Sequence, residues 1–378
     1  MFSARFLRRI DIRIIFIICI LMGISLVTIS SYSCEFNHDF ADDSFMTPMV
    51  RSQLKWFCVG WGLFFLFSGF DYNKLREYAW VIYGLSLIAL IGLFFTDPIQ
   101  RVQRWYRLPF IQFNMQPSET AKLAVIIALS WFLEKKASSS RSIATTIGAL
   151  LIVGIPFILI LKQPDFGAAL VLYPMALVMC YFGDIHPGVI RSLIFAGAVA
   201  FACVFTIFSG MVSHEEARPY ARTFLKEYQY ERLNPNTHHQ KASVTSIAVG
   251  GVSGVGWKNS EYARAGSLPA PYTDSVFSAF GEEFGFVGLT FLLVLFYALI
   301  YCSFQVTVVA KDPFGRLLAS GIAVFLAVQV LINIGMMCGF LPITGVPLVL
   351  VSYGGSHVVS TMIAIGILQS IYSRRFMF

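Results

Sequence analysis

Residues 266–303 read GSLPAPYTDSVFSAFGEEFGFVGLTFLLVLFYALIYCS, a polar approach that leads directly into an apolar run over Phe284–Ser303. Two prolines keep the approach extended, because each disfavours the helical region for the residue before it. Thr273 is then expected to cap the following helix, which places Asp274 in its first turn. The stretch predicts a carboxylate where a long apolar helix begins. An acidic residue there also offsets the helix dipole, so the stretch alone assigns it no role.

The composition is that of a polytopic membrane protein. Of 378 residues, 57% are hydrophobic and only 13% are charged, whereas soluble domains carry about 25% charged residues. We therefore expect one integral membrane domain over residues 1–378. The formal net charge of +7 is spread over loop ends, which indicates topology and lipid contact and argues against nucleic-acid binding. Six of the seven cysteines lie in or beside apolar runs, so no disulfide framework is expected.

Ten apolar runs are long enough to cross a bilayer, for which roughly 17–25 residues are needed. They predict an all-α polytopic fold of about ten transmembrane helices, with a large outer loop at about 210–283 between the seventh and eighth spans. Around Phe224 and Tyr230 this loop has either an amphipathic interfacial helix or a solvated connection. The runs fall at about 14–31, 54–70, 78–96, 118–133, 143–161, 167–182, 190–209, 284–303, 315–338 and 355–372.

Lysine and arginine are distributed unequally between the two sides of this arrangement. With the N-terminus inside, fourteen basic residues lie in the predicted inner segments and six in the short outer ones. Since positive charge favours the cytoplasmic side, both termini are expected to be cytoplasmic and the long loop to lie outside.

The fourth span opens with two ionisable residues, Glu119 and Lys122, three positions apart on one helix face. Placing ionisable residues inside a membrane costs free energy, so their presence indicates function by default. Two interpretations stay open. The pair is either an internal ion pair that satisfies itself, or the lysine faces a cavity and meets an anionic ligand.

Basic and aromatic residues alternate just before that span. Arg101, Arg104 and Arg107 flank Trp105 and Tyr106. This pattern fits ordinary anchors at a membrane interface. It equally fits a patch that recognises phosphate, because guanidinium groups match phosphate oxygens bidentately.

Two further outer segments are unusual. Residues 163–167 join the fifth and sixth spans, and Asp165 within them is placed to cap the sixth helix. Residues 340–356 are too apolar for a free loop, so we expect irregular backbone buried in the protein and lining a cavity. Gly354 and Gly355 would let the backbone approach a ligand closely there.

All these features fall on the predicted outer side, where carboxylates and cations around one cavity favour a lipid-borne phosphorylated substrate over a soluble ion. An ordered set of motifs accompanies them: QPSE at 116–119 with Lys122, QPDFG at 163–167, LP at 268–269 followed by TD at 273–274, GEEFG at 281–285, NIGM at 333–336, LPITGVPL at 341–348 and SYGGS at 352–356. In this set the chain resembles the SEDS family of bacterial peptidoglycan polymerases, the RodA/FtsW/SpoVE group, and most of all its elongation-type RodA branch.

The resemblance implies polymerisation of lipid II into glycan strands at the outer face of the bacterial cytoplasmic membrane, for cell elongation and shape. It implies that Asp274 is essential, and that a class B penicillin-binding transpeptidase and the elongation machinery are partners. It also implies dependence on a divalent cation, magnesium or manganese, with its ligands unassigned. Residues 236–264 depart most from the family pattern.

For such a transfer we predict Asp274 as the catalytic base that takes the proton of the acceptor hydroxyl. Cationic groups would stabilise the leaving diphosphate, and the other carboxylates would orient them or bind the metal. The predicted substrate-binding residues are Arg101, Arg104, Glu119, Lys122, Asp165, Ser352, Gly354 and Gly355. Two other classes stay open: a lipid II flippase, which uses the same polar cavity, and a non-catalytic scaffold for a transpeptidase, which needs none of the buried charges.

Overall fold

The computed structural model describes residues 4–32, 45–96, 103–108, 113–221, 227–263 and 266–376. Within these ranges the chain is helical apart from one short antiparallel hairpin, and it forms the following elements in order. They are α1 (Ala4–Leu7), α2 (Ile12–Tyr32), α3 (Pro48–Gly69), α4 (Asn73–Gly92), β1 (Tyr106–Leu108), β2 (Phe113–Met115), α5 (Pro117–Lys135), α6 (Ile143–Lys162), α7 (Phe166–Phe182), α8 (Pro187–Phe208), α9 (His214–Ala221), α10 (Glu227–Glu231), α11 (His238–Gly250), α12 (Val276–Val309), α13 (Pro313–Met337) and α14 (Gly355–Ser373).

The long helices coincide with the predicted spans. Helices α2 to α8 and α12 to α14 fall, in order, on the ten apolar runs. In the described part of the chain, seven of these helices are both long and apolar enough to cross a membrane, and α7 is a shorter apolar helix. The prediction of a polytopic all-α membrane protein is therefore confirmed, with the β1–β2 hairpin as a small addition.

Helix α13 lies at the centre of the bundle. In its apolar span 83% of the residues are buried, and it packs against α5, α7, α12 and α14. Small residues permit this close approach, as is usual between helices in lipid. A Cβ atom at Gly321 would lie only 2.7 Å from Ile126 of α5 and 2.8 Å from Met179 of α7. By contrast, only 6% of α8 is buried, so that helix faces outward along nearly its whole length.

Helix α12 begins at Val276 and not at Thr273, so the expected cap at Thr273 is wrong. The residues before it form turns instead, because the Ser275 amide donates to the Ala270 carbonyl (3.1 Å) and the Ser275 hydroxyl to the Pro269 carbonyl (2.8 Å). Asp274 therefore sits in a tight turn ahead of the helix and outside its first turn.

The start of α12 is broken at one glycine. Gly285 has φ 62° and ψ −164° within the helix. A Cβ there would lie 2.3 Å from the Gly254 amide nitrogen and 2.6 Å from the Val252 carbonyl oxygen, so only glycine fits. The break lets the loop after α11 pack directly against the α12 backbone.

Two buried glutamates of α12 fasten that loop. Glu282 accepts hydrogen bonds from the Tyr262 and Ala263 amides at 3.0 and 3.2 Å. Glu283 accepts one from the Lys258 amide at 3.1 Å and another from a serine of α2. Each carboxylate accepts hydrogen bonds from at least one backbone amide and from a serine hydroxyl, so both glutamates help to hold the fold together.

The long connecting segment folds into α9, α10 and α11, and the interpretation as an amphipathic interfacial helix stays a prediction. Tyr230 is fully buried and stacks on His214, with ring centroids 4.3 Å apart, and Leu233 is also buried. These apolar side chains thus pack within the protein. Phe224, part of the same predicted pattern, lies outside the described residues.

Candidate active site

The turn that carries Asp274 is tied to α13 by an asparagine. The Asn333 side-chain amide donates to the Asp274 carbonyl at 2.9 Å and to the Val346 carbonyl at 2.7 Å. Asn333 is fully buried in a mostly apolar helix. A single side chain therefore joins the Asp274 turn to the irregular segment between α13 and α14.

That irregular segment also holds the turn, by hydrogen bonds from a second side. The Ser352 hydroxyl donates to the Thr273 carbonyl at 2.6 Å and accepts from the Leu348 amide at 2.7 Å. The Tyr353 amide donates to the Tyr272 carbonyl at 2.8 Å. Residues 341–354 have no helix or strand, and their apolar side chains are largely buried, as the sequence predicted. Ser352 supports the turn in this geometry, and its contact with substrate stays a prediction.

The carboxylate of Asp274 is left accessible. It is half-buried, and within the described part of the chain it accepts no hydrogen bond. A Cβ at Gly345 would lie 3.4 Å from Asp274 Oδ2, and Gly345 has φ 77°, a conformation that side chains rarely adopt. The glycine thus keeps a side chain away from the carboxylate.

The surroundings of Asp274 make its charged form less stable than it is in water. Removal of water by packing raises the pKa of Asp274 above its ordinary value, and the like charge of Asp165 acts in the same direction. The positive charges of Arg104 and Arg232 oppose this rise. A carboxyl group with a raised pKa, accessible and close to cations, is typical of an acid–base catalyst.

Replacing Asp274 with asparagine should therefore stabilise the protein at neutral pH. Since folding raises the pKa of Asp274, ionisation costs stability at pH values above the folded pKa, and this cost vanishes below the ordinary value for an aspartate. The gain in melting temperature of Asp274→Asn should accordingly be present near pH 7 and fade as the pH falls through the raised pKa. Thermal unfolding of purified parent and variant across this pH range measures it; a variant less stable at pH 7 would contradict the electrostatic argument.

Asp165 is buried beside this turn. Its Oδ1 accepts from the Ala168 amide at 3.3 Å, so the predicted cap of α7 is confirmed. Its Oδ2 accepts from Gln116 at 2.8 Å and from Ser118 at 2.9 Å. With both oxygens engaged, Asp165 ties α5 to α7, and its role toward substrate stays a prediction.

Arg104 lies over the same junction, partly exposed. Its guanidinium donates to the backbone carbonyls of Gln163 (3.4 Å) and Pro164. This anchors the positive charge next to Asp165 and within electrostatic range of Asp274. Arg101, the other predicted arginine, lies outside the described residues.

Glu119 and Lys122 form an ion pair deep in the bundle. Lys122 Nζ lies 2.7 Å from Glu119 Oε1, and the two side chains are 1% and 4% exposed. The second oxygen of Glu119 lies 3.3 Å from Ser360 Oγ and 3.5 Å from His357 Nδ1. This is the geometry of the internal ion pair. Direct contact of either residue with substrate stays a prediction.

Gly354 and Gly355 lie at the N-terminus of α14. Gly354 has φ 154°, its amide donates to Gln53 Oε1 at 3.2 Å, and a Cβ there would meet no atom within 4 Å. Open space is therefore present beside Gly354, and the contact of Gly354 and Gly355 with a ligand stays a prediction.

The described residues do not provide a ligand set for the predicted divalent cation. They contain no group of three or more histidine, cysteine, aspartate or glutamate side chains placed to hold a metal. Asp165, the carboxylate next to Asp274, has both oxygens occupied by donors. The dependence on a divalent cation stays a prediction.

Sequence reasoning missed two residues that shape this site. Asn333 is one: an amide side chain in a buried, mostly apolar span is a detectable signal, because polar groups inside membranes are costly. The other is His239 of α11, whose Nε2 lies 2.7 Å from Ser275 Oγ. Nothing in its local sequence, which fits the family pattern poorly, predicts that contact.

Comparison with known proteins points to one family. The model of the FtsW/RodA/SpoVE family, described as "Cell cycle protein", matches residues 12–375. The chain is 32% identical to a probable peptidoglycan glycosyltransferase FtsW of Geobacter sulfurreducens, over 86% of this chain and 85% of that protein. It is 32% identical to the peptidoglycan glycosyltransferase MrdB of Escherichia coli K12, over 78% and 77% of the two chains. It is 30% identical to stage V sporulation protein E of Bacillus subtilis, over 96% and 98%.

Solved structures with the same fold are also known. A chain in a structure titled "Structural coordination of polymerization and crosslinking by a peptidoglycan synthase complex" superposes with a TM-score of 0.77 and 26% identity, over 98% of this chain and 99% of that one. The rod shape determining protein RodA of Thermus thermophilus superposes with a TM-score of 0.70 and 24% identity, over 97% of this chain and 98% of that one. The identities to relatives named FtsW and MrdB are equal, so they do not separate division from elongation.

Proposed function

The chain belongs to the FtsW/RodA/SpoVE family, and we propose that it is a peptidoglycan glycosyltransferase that polymerises lipid II at the outer face of the bacterial cytoplasmic membrane. The observation that carries this proposal is Asp274: an accessible carboxylate with a raised pKa, on a turn held rigid from two sides. The names of the relatives support the activity.

Asp274 acts as the general base. It takes the proton of the 4-hydroxyl of one lipid-linked disaccharide, and the hydroxyl oxygen forms a bond to the anomeric carbon of the other. The bond from that carbon to the diphosphate oxygen breaks, and its electron pair leaves with the polyprenyl diphosphate. Direct displacement inverts the α-linked diphosphate to a β-linkage, so no covalent enzyme intermediate is needed. General base catalysis typically contributes about 10²–10⁴-fold.

Arg104 supplies positive charge for the leaving diphosphate. Its guanidinium is fixed by two backbone carbonyls and remains partly exposed, so it is positioned before substrate arrives. Charge held in place in this way stabilises a developing anion without reorganisation. Lys122 is paired with Glu119 deep in the bundle, so its contact with the diphosphate stays a prediction.

The orientation follows from charge. The excess of lysine and arginine in both terminal segments and around the connections from α3 to α4, α5 to α6, α7 to α8 and α12 to α13 supports cytoplasmic termini. Seven spans, α2 to α8, precede the α9–α11 segment, so with cytoplasmic termini this segment and the Asp274 turn lie together on the outer side, where lipid II is presented for polymerisation. This is the arrangement that a polymerase acting outside the cytoplasm requires.

A class B penicillin-binding transpeptidase is the proposed partner. The support is the likeness to a chain from a synthase complex whose structure concerns the coordination of polymerisation and crosslinking. The proposed role in cell elongation rests on the TGVPL motif at 344–348, which is more similar to the RodA branch than to the FtsW branch.

Reconstitution tests the proposal. The purified protein, with and without its transpeptidase, is placed in vesicles that contain lipid II with a fluorescent label. Glycan polymer is measured by gel electrophoresis, and translocation is measured by the access of a membrane-impermeant quencher to the label. We expect polymer and no translocation.

The other classes give different results. A flippase moves the label across the bilayer and leaves it monomeric even when the transpeptidase is present. A scaffold produces neither signal alone and raises only the activity of its partner. Either pattern would exclude the polymerase.

A further inference from the structure

His239 reaches the Asp274 turn from the outer segment. It is the second residue of α11, and its Nε2 lies 2.7 Å from the hydroxyl oxygen of Ser275, the residue after Asp274. The Ser275 hydroxyl has one proton, which it donates to the Pro269 carbonyl at 2.8 Å. The serine oxygen must then accept from the histidine, so His239 carries its proton on Nε2.

The helix that carries His239 is itself held firmly. The neighbouring Gln240 is buried and donates from its side chain to the Met336 carbonyl, at the end of α13, at 2.7 Å. Further along α11, the Ser246 hydroxyl lies 2.9 Å from Glu282 Oε2 on α12. Contacts at both ends of α11 thus fix the position of the imidazole against the bundle.

This contact completes the support of the turn. Asn333 and Ser352 hold the carbonyls of Asp274 and Thr273 from the side of α13 and α14. His239 holds the opposite end, where the hydroxyl of Ser275 closes the turn onto Pro269. Without the histidine, the Ser275 hydroxyl loses its donor and the chain can pivot at the residue next to Asp274.

We propose that His239 is a positioning residue for glycan polymerisation: as an Nε2–H donor to Ser275, it fixes the turn that aims Asp274 at the acceptor hydroxyl. The inference rests on the proposed function and adds to it a residue from the part of the chain that fits the family pattern poorly. Burial and the neighbouring His238 lower the pKa of His239, so the donor is a neutral imidazole at neutral pH.

The test compares five variants of the full-length protein in the lipid II polymerisation assay. His239→Ala should lower kcat about 10-fold or more while KM stays near the parental value, because misplacement of a catalytic group by about 1 Å costs up to 10²-fold. His239→Gln keeps an N–H donor at a similar reach and should recover most of the rate. His238→Ala, at an exposed neighbour, should behave as the parent. Adding His239→Ala to a Ser275→Ala variant should lower kcat little further, because both substitutions remove the same hydrogen bond.

The outcomes separate this inference from the function it rests on. If the parent polymerises lipid II and His239→Ala keeps the parental kcat, the positioning role is wrong. It is equally wrong if His239→Gln is as impaired as His239→Ala, or if the losses appear in KM alone. A parent that makes no polymer removes the proposed function and this inference together. The melting temperature of the glutamine variant is also measured. A value within about 2 °C of the parent shows that its recovered rate does not come from a difference in folding.

Discussion

Asp274→Asn is expected to lower the rate of glycan polymerisation by about 10²–10⁴-fold, the usual contribution of a general base. Asparagine keeps the size of the side chain and cannot take a proton. The bonds that hold the turn involve the backbone and Ser352, so the turn should stay in place. The measurement is the initial rate of polymer formation from lipid II by the purified variant together with its transpeptidase.

Asp184→Asn is the matched control. Asp184 is an exposed carboxylate between α7 and α8 with φ 52°, a conformation that asparagine also tolerates. The same chemical change at that position should leave the rate at the parental value. If Asp274→Asn polymerises lipid II as fast as the parent and the Asp184 control, then Asp274 is not the base.

The pH dependence gives a second check on the same residue. The base must be deprotonated to act, and burial raises the pKa of Asp274. Activity should therefore fall as the pH decreases through this raised pKa, at a higher pH than an ordinary aspartate would give. The residual activity of Asp274→Asn should lack this acidic limb. A parent whose acidic limb lies at the ordinary value would contradict the environment described for the carboxylate.

The spans were predictable because they depend on local composition alone. An apolar run of sufficient length must become a helix in lipid, where each backbone polar group needs a partner. For the same reason the cap at Asp165 was predictable, since a short polar side chain before a helix has one obvious local partner. The largely buried, irregular course of residues 341–354 followed from their apolar character without helical continuity.

The site itself depends on contacts between distant segments, and these leave no local signal. The cap expected at Thr273 failed because the Ser275 hydroxyl bonds back to Pro269 and delays the helix. The contact from His239 to Ser275 joins residues 36 positions apart and depends on how α11 folds against α12. The two interpretations of Lys122 could be separated only by burial, because spacing places it next to Glu119 in both.

Lys122→Met is expected to destabilise the protein by about 3–5 kcal/mol, the cost of leaving one partner of a buried ion pair alone. The carboxyl group of Glu119 would be left nearly fully buried without its cation, with Ser360 and His357 as its remaining polar neighbours. The measurement is the free energy of unfolding of the purified variant in detergent. Lys135→Met, on the exposed end of the same helix, should change it by less than about 1 kcal/mol, since exposed charges contribute little.

The double variant Glu119→Gln/Lys122→Met decides what the pair is for. It removes both charges, so most of the lost stability should return, because a buried pair replaced as a unit is often nearly neutral. If stability and polymerisation both return, the pair serves only to join α5 to the bundle. If stability returns while polymerisation stays low, one of the charges acts on the substrate. A double variant as unstable as Lys122→Met would contradict the ion pair itself, because the cost could not then come from an unpaired carboxylate.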